Sequence, residues 1–216
     1  MSFQSKLMTT SALALMLLVG LSNQATVSAQ MQDMPYDLHF IDMMIMHHEE
    51  GIEMSQLAQS KAQSAKVKAF AMKTAADQQK DIEELKMHRN HWYAGKPMMD
   101  PAMMESMMQS MHPGMSMNME ETRRNLRAST GATFDRLFLD TMIHHHQMAI
   151  DMSKDAVTKA EHAEIKDMAR KTITKQTAEI AEMNRLKGGA SARSTRTRTK
   201  AKPKAKPKTP THTHSH

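Results

Sequence analysis

Cysteine is absent from this 216-residue chain. No disulfide framework holds it and no thiolate is available as a metal ligand. Glycine and proline are scarce, at 7 each, and aromatic residues make up 4%. That argues against a β-sandwich or barrel, which needs many turn residues and bulky strand formers. Beyond the N-terminus no apolar run approaches membrane-spanning length. Acidic residues are missing from the last stretch, 188–216, which carries Arg193, Arg196, Arg198, Lys200, Lys202, Lys204, Lys206 and Lys208. The formal charge of +6 therefore belongs to the tail. Without it and without Lys6, the part from 30 to 187 has a net charge of −3.

The N-terminus has the pattern of a secretory signal peptide, residues 1–29. Lys6 precedes a mostly apolar run from Leu7 to Leu21, and Val27-Ser28-Ala29 fits a small-x-small cleavage site. The run is short for a membrane span, and an uncleaved anchor is the alternative. We expect a periplasmic or secreted protein.

What the chain has in excess is methionine, 26 residues, with 13 histidines. An average protein has roughly 2% methionine. A plastic core absorbs a few of these, and Met44, Met72, Met168 and Met183 suit packing.

An internal repeat organises the rest. At an offset of 98 residues, positions 37–86 match 135–184 at 21 of 50 positions without a gap. Phe40-Ile41-Asp42-Met43-Met44-Ile45-Met46-His47-His48 lies over Phe138-Leu139-Asp140-Thr141-Met142-Ile143-His144-His145-His146. Each copy reads as a helical hairpin. Ile41, Ile45, His48 and Ile52 recur at helical spacing in one arm, and Val67, Ala71, Thr74, Gln78, Ile82 and Leu85 in the other. Neither hairpin buries its apolar stripe alone, so we expect an all-α, ferritin-like four-helix bundle of two duplicated hairpins. The first occupies 30–93 (arms 35–60 and 64–93) and the second 133–187 (arms 133–158 and 160–187), with Gly188-Gly189 as the stop signal. Between them lies a Met-rich linker, 94–132, interrupted by Gly95, Pro97, Pro101, Pro113 and Gly114 and not bundle material. The basic, His-ended tail 188–216 reads as disordered.

On a helical wheel His48 and His146 fall at the centre of the apolar stripe, where a hydrogen-bonded core role competes with ligation. His47 lies on one shoulder near Met43, Met54 and Glu50. His145, Met148 and Met152 share the corresponding shoulder in copy two, with His144 beside them. Gly51 and Ala149 are small at matching positions, which lets a neighbouring helix approach closely. Thioethers favour soft ions such as Cu(I) and Ag(I), and imidazole serves Cu(I), Cu(II) and Zn(II) alike. Pairs at i, i+4, Met43–His47 and Met148–Met152, suit Cu(I) at low coordination number.

In the linker, ten methionines fall between Met98 and Met119. Met111, His112, Met115, Met117 and Met119 close the run, which reads as a mobile multi-site trap for Cu(I) or Ag(I). The alternative is a Met-rich helix docked on the bundle or a partner. Weaker candidates are Met87, His88 and His91 in the first hairpin, where a stripe of Glu83, Met87 and His91 is either a third site or a solvated face. His212, His214 and His216 alternate in the tail, whose polycationic Lys-Pro run points to an anionic envelope surface rather than to nucleic acid.

The repeated Asp-x-x-Ile-His-His pattern, with methionine two to four residues before the histidines, resembles the family called domain of unknown function 305 (DUF305). The resemblance spans about Asp37 to Lys187. It implies a ferritin-like bundle that binds copper outside the cytoplasm and contributes to copper resistance. Carried over by position, it implies Met43, Met44, His47, His48, Met142, His145 and His146 as ligands.

The leading expectation is a copper-binding protein without catalytic turnover that sequesters, buffers or transfers copper, with silver as a second ion. A copper exporter or sensor in the envelope is the candidate partner. A ferritin-like redox enzyme is the first alternative, but a di-iron or di-manganese site needs Glu-x-x-His on two helices, and that motif does not occur here. An envelope-associated structural protein acting through its tail is the second.

Overall fold

The computed structural model describes residues 34–100, 102–103 and 119–199. Among them are five helices and no strand: α1 Tyr36–Lys61, α2 Ala65–Trp92, α3 Met119–Ala128, α4 Gly131–Lys159 and α5 Ala163–Thr199. Residues 1–33, where a signal peptide is expected, the centre of the Met-rich linker and residues 200–216 lie outside the described residues.

Helices α1 and α4 occupy equivalent places in the repeat, as do α2 and α5. Ala62 and Ala160, one repeat apart, both leave their helices with extended backbone (ψ 138° and 145°). Ser64 then opens α2 without a side-chain cap, so the free backbone donors of that helix end need another acceptor. It comes from the other hairpin. Asp135 on α4 accepts hydrogen bonds from the N–H groups of Gln63 and Ser64 (2.8 Å each). Asp37 on α1 accepts from Glu161 (2.9 Å) and His162 (2.8 Å) at the start of α5. Asp37 and Asp135 are themselves repeat equivalents, so each hairpin caps its twin. Both carboxylates are buried and face the positive end of a helix.

The apolar interior is split in two. One cluster joins the start of α1 (Phe40, Ile41, Ile45), the end of α2 (Ile82, Leu85), the end of α4 (Ala149, Ala156) and the start of α5 (Ile165, Ala169). The other joins the end of α1 (Met54, Ala58), the start of α2 (Val67, Phe70), the start of α4 (Phe134, Phe138, Met142) and Met183 of α5. Helices α1 and α5 therefore run one way and α2 and α4 the other. The buried polar residues His47, His48, Thr74, Gln78, His145, His146 and Gln176 fall between these stretches along the four helices.

This direction of travel explains the long linker. Helix α2 ends where α4 does, so the chain has to return along the bundle, about 40 Å for a helix of this length, before α4 can start. A single long crossover is the ferritin-like arrangement. The expectation that 94–132 stands apart from the bundle is corrected at both ends. At its start, Arg89 donates to Asp42 (2.6 Å) and to the carbonyls of Lys96 and Pro97, and Asp42 also accepts from Met99 N–H (3.1 Å). Met99 is 4% exposed and belongs to the first apolar cluster, against which Met103 also packs. At its end, α3 buries Leu126 in the second cluster, while Arg123 and Arg127 reach Glu53 (3.0 and 3.1 Å). Thioethers written as part of a mobile trap are, at Met99 and Met103, packing groups.

Two more expectations change. Gly188-Gly189 does not end the second hairpin, since α5 continues to Thr199. Glycine costs a helix interior about 1 kcal/mol, and Ala190, Ala192 and Arg193 beyond it are good helix formers. Met72, read as packing, is 60% exposed.

Candidate metal centre

His47 and His145, one repeat apart, meet face to face at the centre of the polar layer. Their ring centroids lie 3.6 Å apart at 23°. Gly51 makes this approach possible: a Cβ there would stand 2.8 Å from His145 Cε1 and 2.3 Å from Gln78 Oε1. His145 Nε2 donates to the backbone carbonyl of His47 (2.8 Å). Both ring nitrogens of His47, Nδ1 of His145 and both amide atoms of Gln78 are buried without a hydrogen-bond partner. Burial and the neighbouring imidazoles of His145, His48 and His146 hold His47 well below the usual imidazole range, and burial with His146 and His48 does the same to His145. Both rings are therefore neutral at physiological pH, the form that ligates metal.

Beside this pair the two copies diverge. His146 Nε2 donates to Glu179 at 2.8 Å, and Glu179 also pairs with Lys73 (3.2 Å). Burial opposes ionisation of Glu179, but His146 and Lys73 together outweigh it and lower its pKa. In copy one the equivalent acid is Asp81, one methylene shorter, and its Oδ2 stands 3.7 Å from His48 Nε2. That is too long for a hydrogen bond, and both ring nitrogens of His48 are buried and unpaired. Burial first, then the nearby charges of Lys175 and His146, push His48 down to about 3. The gap opens into a cavity of about 30 Å³ lined by His48, Met44, Met168, Asp81, Lys171 and Lys175, among others. Lys175 is held by Asp81 at 2.9 Å and Lys171 faces Glu84 at 3.9 Å, so the mouth is close to charge-balanced. Met168 of the second copy has Phe70 of the first as its repeat counterpart, so the position equivalent to Met168 carries no thioether.

This helical architecture, with its doubled His-His layer, has known relatives. The family model for the domain of unknown function DUF305 matches residues 37–187. The chain belongs to the DUF305 family. Among solved structures, CopM in its Cu(II)-bound form is 30% identical, with a TM-score of 0.57, over 71% of this chain and 96% of that one. CopM in its Cu(I)-bound form is 29% identical, with a TM-score of 0.56, over the same shares. A DUF305 fragment from Deinococcus radiodurans shares the fold at 22% identity and a TM-score of 0.62, over 72% of this chain and 97% of that one. An uncharacterized protein of Acanthamoeba polyphaga mimivirus is 46% identical over 50 residues, which is 23% of this chain and a third (33%) of that protein.

Within this DUF305 chain the structure regroups the residues singled out from the sequence. Met44 and His48 share a cavity, as expected of neighbours one turn apart, and Met168, read as packing, joins them. Met43 does not line that cavity. It shares a second one with Met152 and His39. Met54 and Met142 lie in the second apolar cluster. Met148 is buried and His144 half-buried. Met87 (57% exposed), His91 and Glu83 lie on a solvated face, and His88 is stacked on Trp92 (centroids 4.6 Å apart). Met111, His112, Met115 and Met117 fall outside the described residues, and Met119 begins α3.

No group of three or more His, Asp or Glu side chains is arranged to hold a metal among the described residues. A site here has to recruit thioethers. Spacing could not reveal Met168, on another helix 120 residues further along the chain than His48. Aligning the repeats in their non-identical positions, Asp81 against Glu179 and Met168 against Phe70, is the signal that could have found it.

Proposed function

We propose that this protein binds copper, chiefly as Cu(I), at a pocket formed by His48, Met44 and Met168, and that it sequesters or passes on the ion without catalytic turnover. The observation that carries the reading is the unpaired, neutral His48 imidazole facing a cavity with two thioethers, where its twin His146 is closed off by Glu179. Thioethers and imidazole together select a soft ion and discriminate against Mg(II), Ca(II) and Mn(II). Neither ligand type has to lose a proton at neutral pH. Metal exchange with a donor or acceptor is therefore insensitive to pH around 7. The likeness to CopM, described in Cu(I)-, Cu(II)- and Ag-bound forms, supports the same assignment. The stacked His47–His145 pair with its unpaired nitrogens is a reserve of further ligands beside the pocket.

A periplasmic or secreted location fits the N-terminal pattern and the absence of cysteine, since thioethers survive an oxidising compartment that would consume thiolates. No helix among the described residues is long and apolar enough to cross a membrane. The Met-rich centre of the linker then raises the local supply of Cu(I), and a copper exporter or sensor is the class of partner that would receive it.

The test is anaerobic Cu(I) competition against a chromophoric chelator, using the chain with His48→Ala, Met44→Leu/Met168→Leu and His146→Ala. We expect the first two to lose a tight site and the third to retain it. Tight binding that is indifferent to His48 and both thioethers would overturn the assignment. A chain that fails to compete for Cu(I) at all would overturn the function.

A further inference from the structure

A second cavity, of about 40 Å³, opens beside the first turns of α1 and is lined by Tyr36, His39, Met43, Met152 and Asp155, among others. His39 Nε2 is buried there with no hydrogen-bond partner. His39 and Met43 stand at i and i+4, one turn apart on the same face of α1, and Met152 comes from α4. We propose that His39, Met43 and Met152 form a second site for a soft monovalent cation, Cu(I) or Ag(I). It rests on the same soft-ligand chemistry as the His48 reading but shares no ligand with that pocket, Phe40 being the residue that lines both.

The repeat supplies the comparison that distinguishes a binding site from a core histidine. At the repeat-equivalent positions, His39 becomes Leu137, Met43 becomes Thr141, Tyr36 becomes Phe134, Asp155 becomes Leu57 and Met152 remains a methionine, Met54. At that equivalent place Phe134 is fully buried beside Phe138 and Met54, with Leu57 and Leu137 packed against them. The same backbone thus packs well without an imidazole at this position, so the fold does not call for one. At the His39 site an imidazole and a carboxylate replace two leucines, Met43 replaces a threonine, Met152 matches Met54, and the interior stays open. A void of this size accepts one water molecule or a dehydrated monovalent ion. Burial outweighs the attraction of Asp42 and lowers the His39 pKa, which keeps the ring neutral and free to ligate. Asp155 at the rim is paired with Lys159 (2.7 Å).

The experiment uses Ag(I), a redox-inert probe, added to the full chain labelled with ¹³C at the methionine methyl groups. Signals are assigned with single Met→Leu variants. The test variant is His39→Leu, the residue already accommodated at position 137, with circular dichroism to confirm an unchanged helix content. We expect the Met43 and Met152 methyl signals to shift together on adding Ag(I), and to stop shifting in His39→Leu, while those of Met44 and Met168 still move. Met43 and Met152 signals that stay in place, or that shift equally without His39, overturn this site and leave the His48 pocket standing. If the Met44 and Met168 signals are also unmoved, the copper reading falls with it.

Discussion

Replacing Asp81 by glutamate should convert the open half of the bundle into a copy of the closed half. Asp81 Oδ2 is 3.7 Å from His48 Nε2, whereas the longer Glu179 reaches His146 at 2.8 Å. One methylene is enough to cover the 0.9 Å difference, and the cavity beside His48 has room for it. The new hydrogen bond would have an ionised acceptor, which is worth about 1.5–3 kcal/mol. The apo protein should gain stability of that order in urea titration. A metal at His48 would first have to break the bond, so Cu(I) affinity at this pocket should fall by about 10- to 100-fold, at 1.4 kcal/mol per decade. The two readings move in opposite directions, which ordinary mutational damage does not do. Unchanged affinity alongside the gain in stability would refute His48 as a ligand. Reduced stability would refute the claim that the Asp81–His48 gap is a missing hydrogen bond.

Asp135→Ala removes a buried carboxylate and leaves the N–H groups of Gln63 and Ser64 without their acceptor; we expect a loss of about 2–4 kcal/mol in urea unfolding, and a loss under 0.5 kcal/mol would show that the cross-cap is incidental. The apo protein should weaken in mild acid. His47, His48 and His145 have folded pKa values below 6.5, so above about pH 6.5 they are neutral in both states, and below it the unfolded chain takes up protons that the buried rings refuse. Stability should then fall by up to about 1.4 kcal/mol per pH unit per ring until the folded pKa is passed, about 3 for His48. A urea midpoint that is flat from pH 7 to 4.5 would contradict the burial of these rings as neutral groups. Replacing Met104, Met107, Met108, Met111, Met115 and Met117 by serine should lower the number of Cu(I) ions bound while leaving the thermal midpoint within a few degrees, because the length of the crossover and the docked groups Met99, Met103 and Leu126 are retained; an unchanged stoichiometry would remove the linker from the binding function.

The sequence by itself determined the helical class, the duplication and the ends of the first three bundle arms to within a residue or two, because apolar spacing and a gapless repeat are local or self-referential signals. It also picked out the doubled His-His motif, whose rings are buried between the two apolar clusters, and the matching family covers the same stretch. Three matters were decided only by the tertiary structure. The reciprocal caps of Asp37 and Asp135 bridge residues 71 to 125 apart, a separation that carries no periodic trace. The linker became a docked crossover because α2 and α4 finish at the same end of the bundle, so the return path lies along surfaces that bury Met99 and Leu126. The candidate ligands were re-sorted because a helical wheel specifies the face of a residue but not which helix that face meets. Met43 was therefore grouped with His47 by spacing and with His39 and Met152 by packing. The difference between an open His48 and a closed His146 rests on one methylene, and only three-dimensional distance turns that methylene into a cavity.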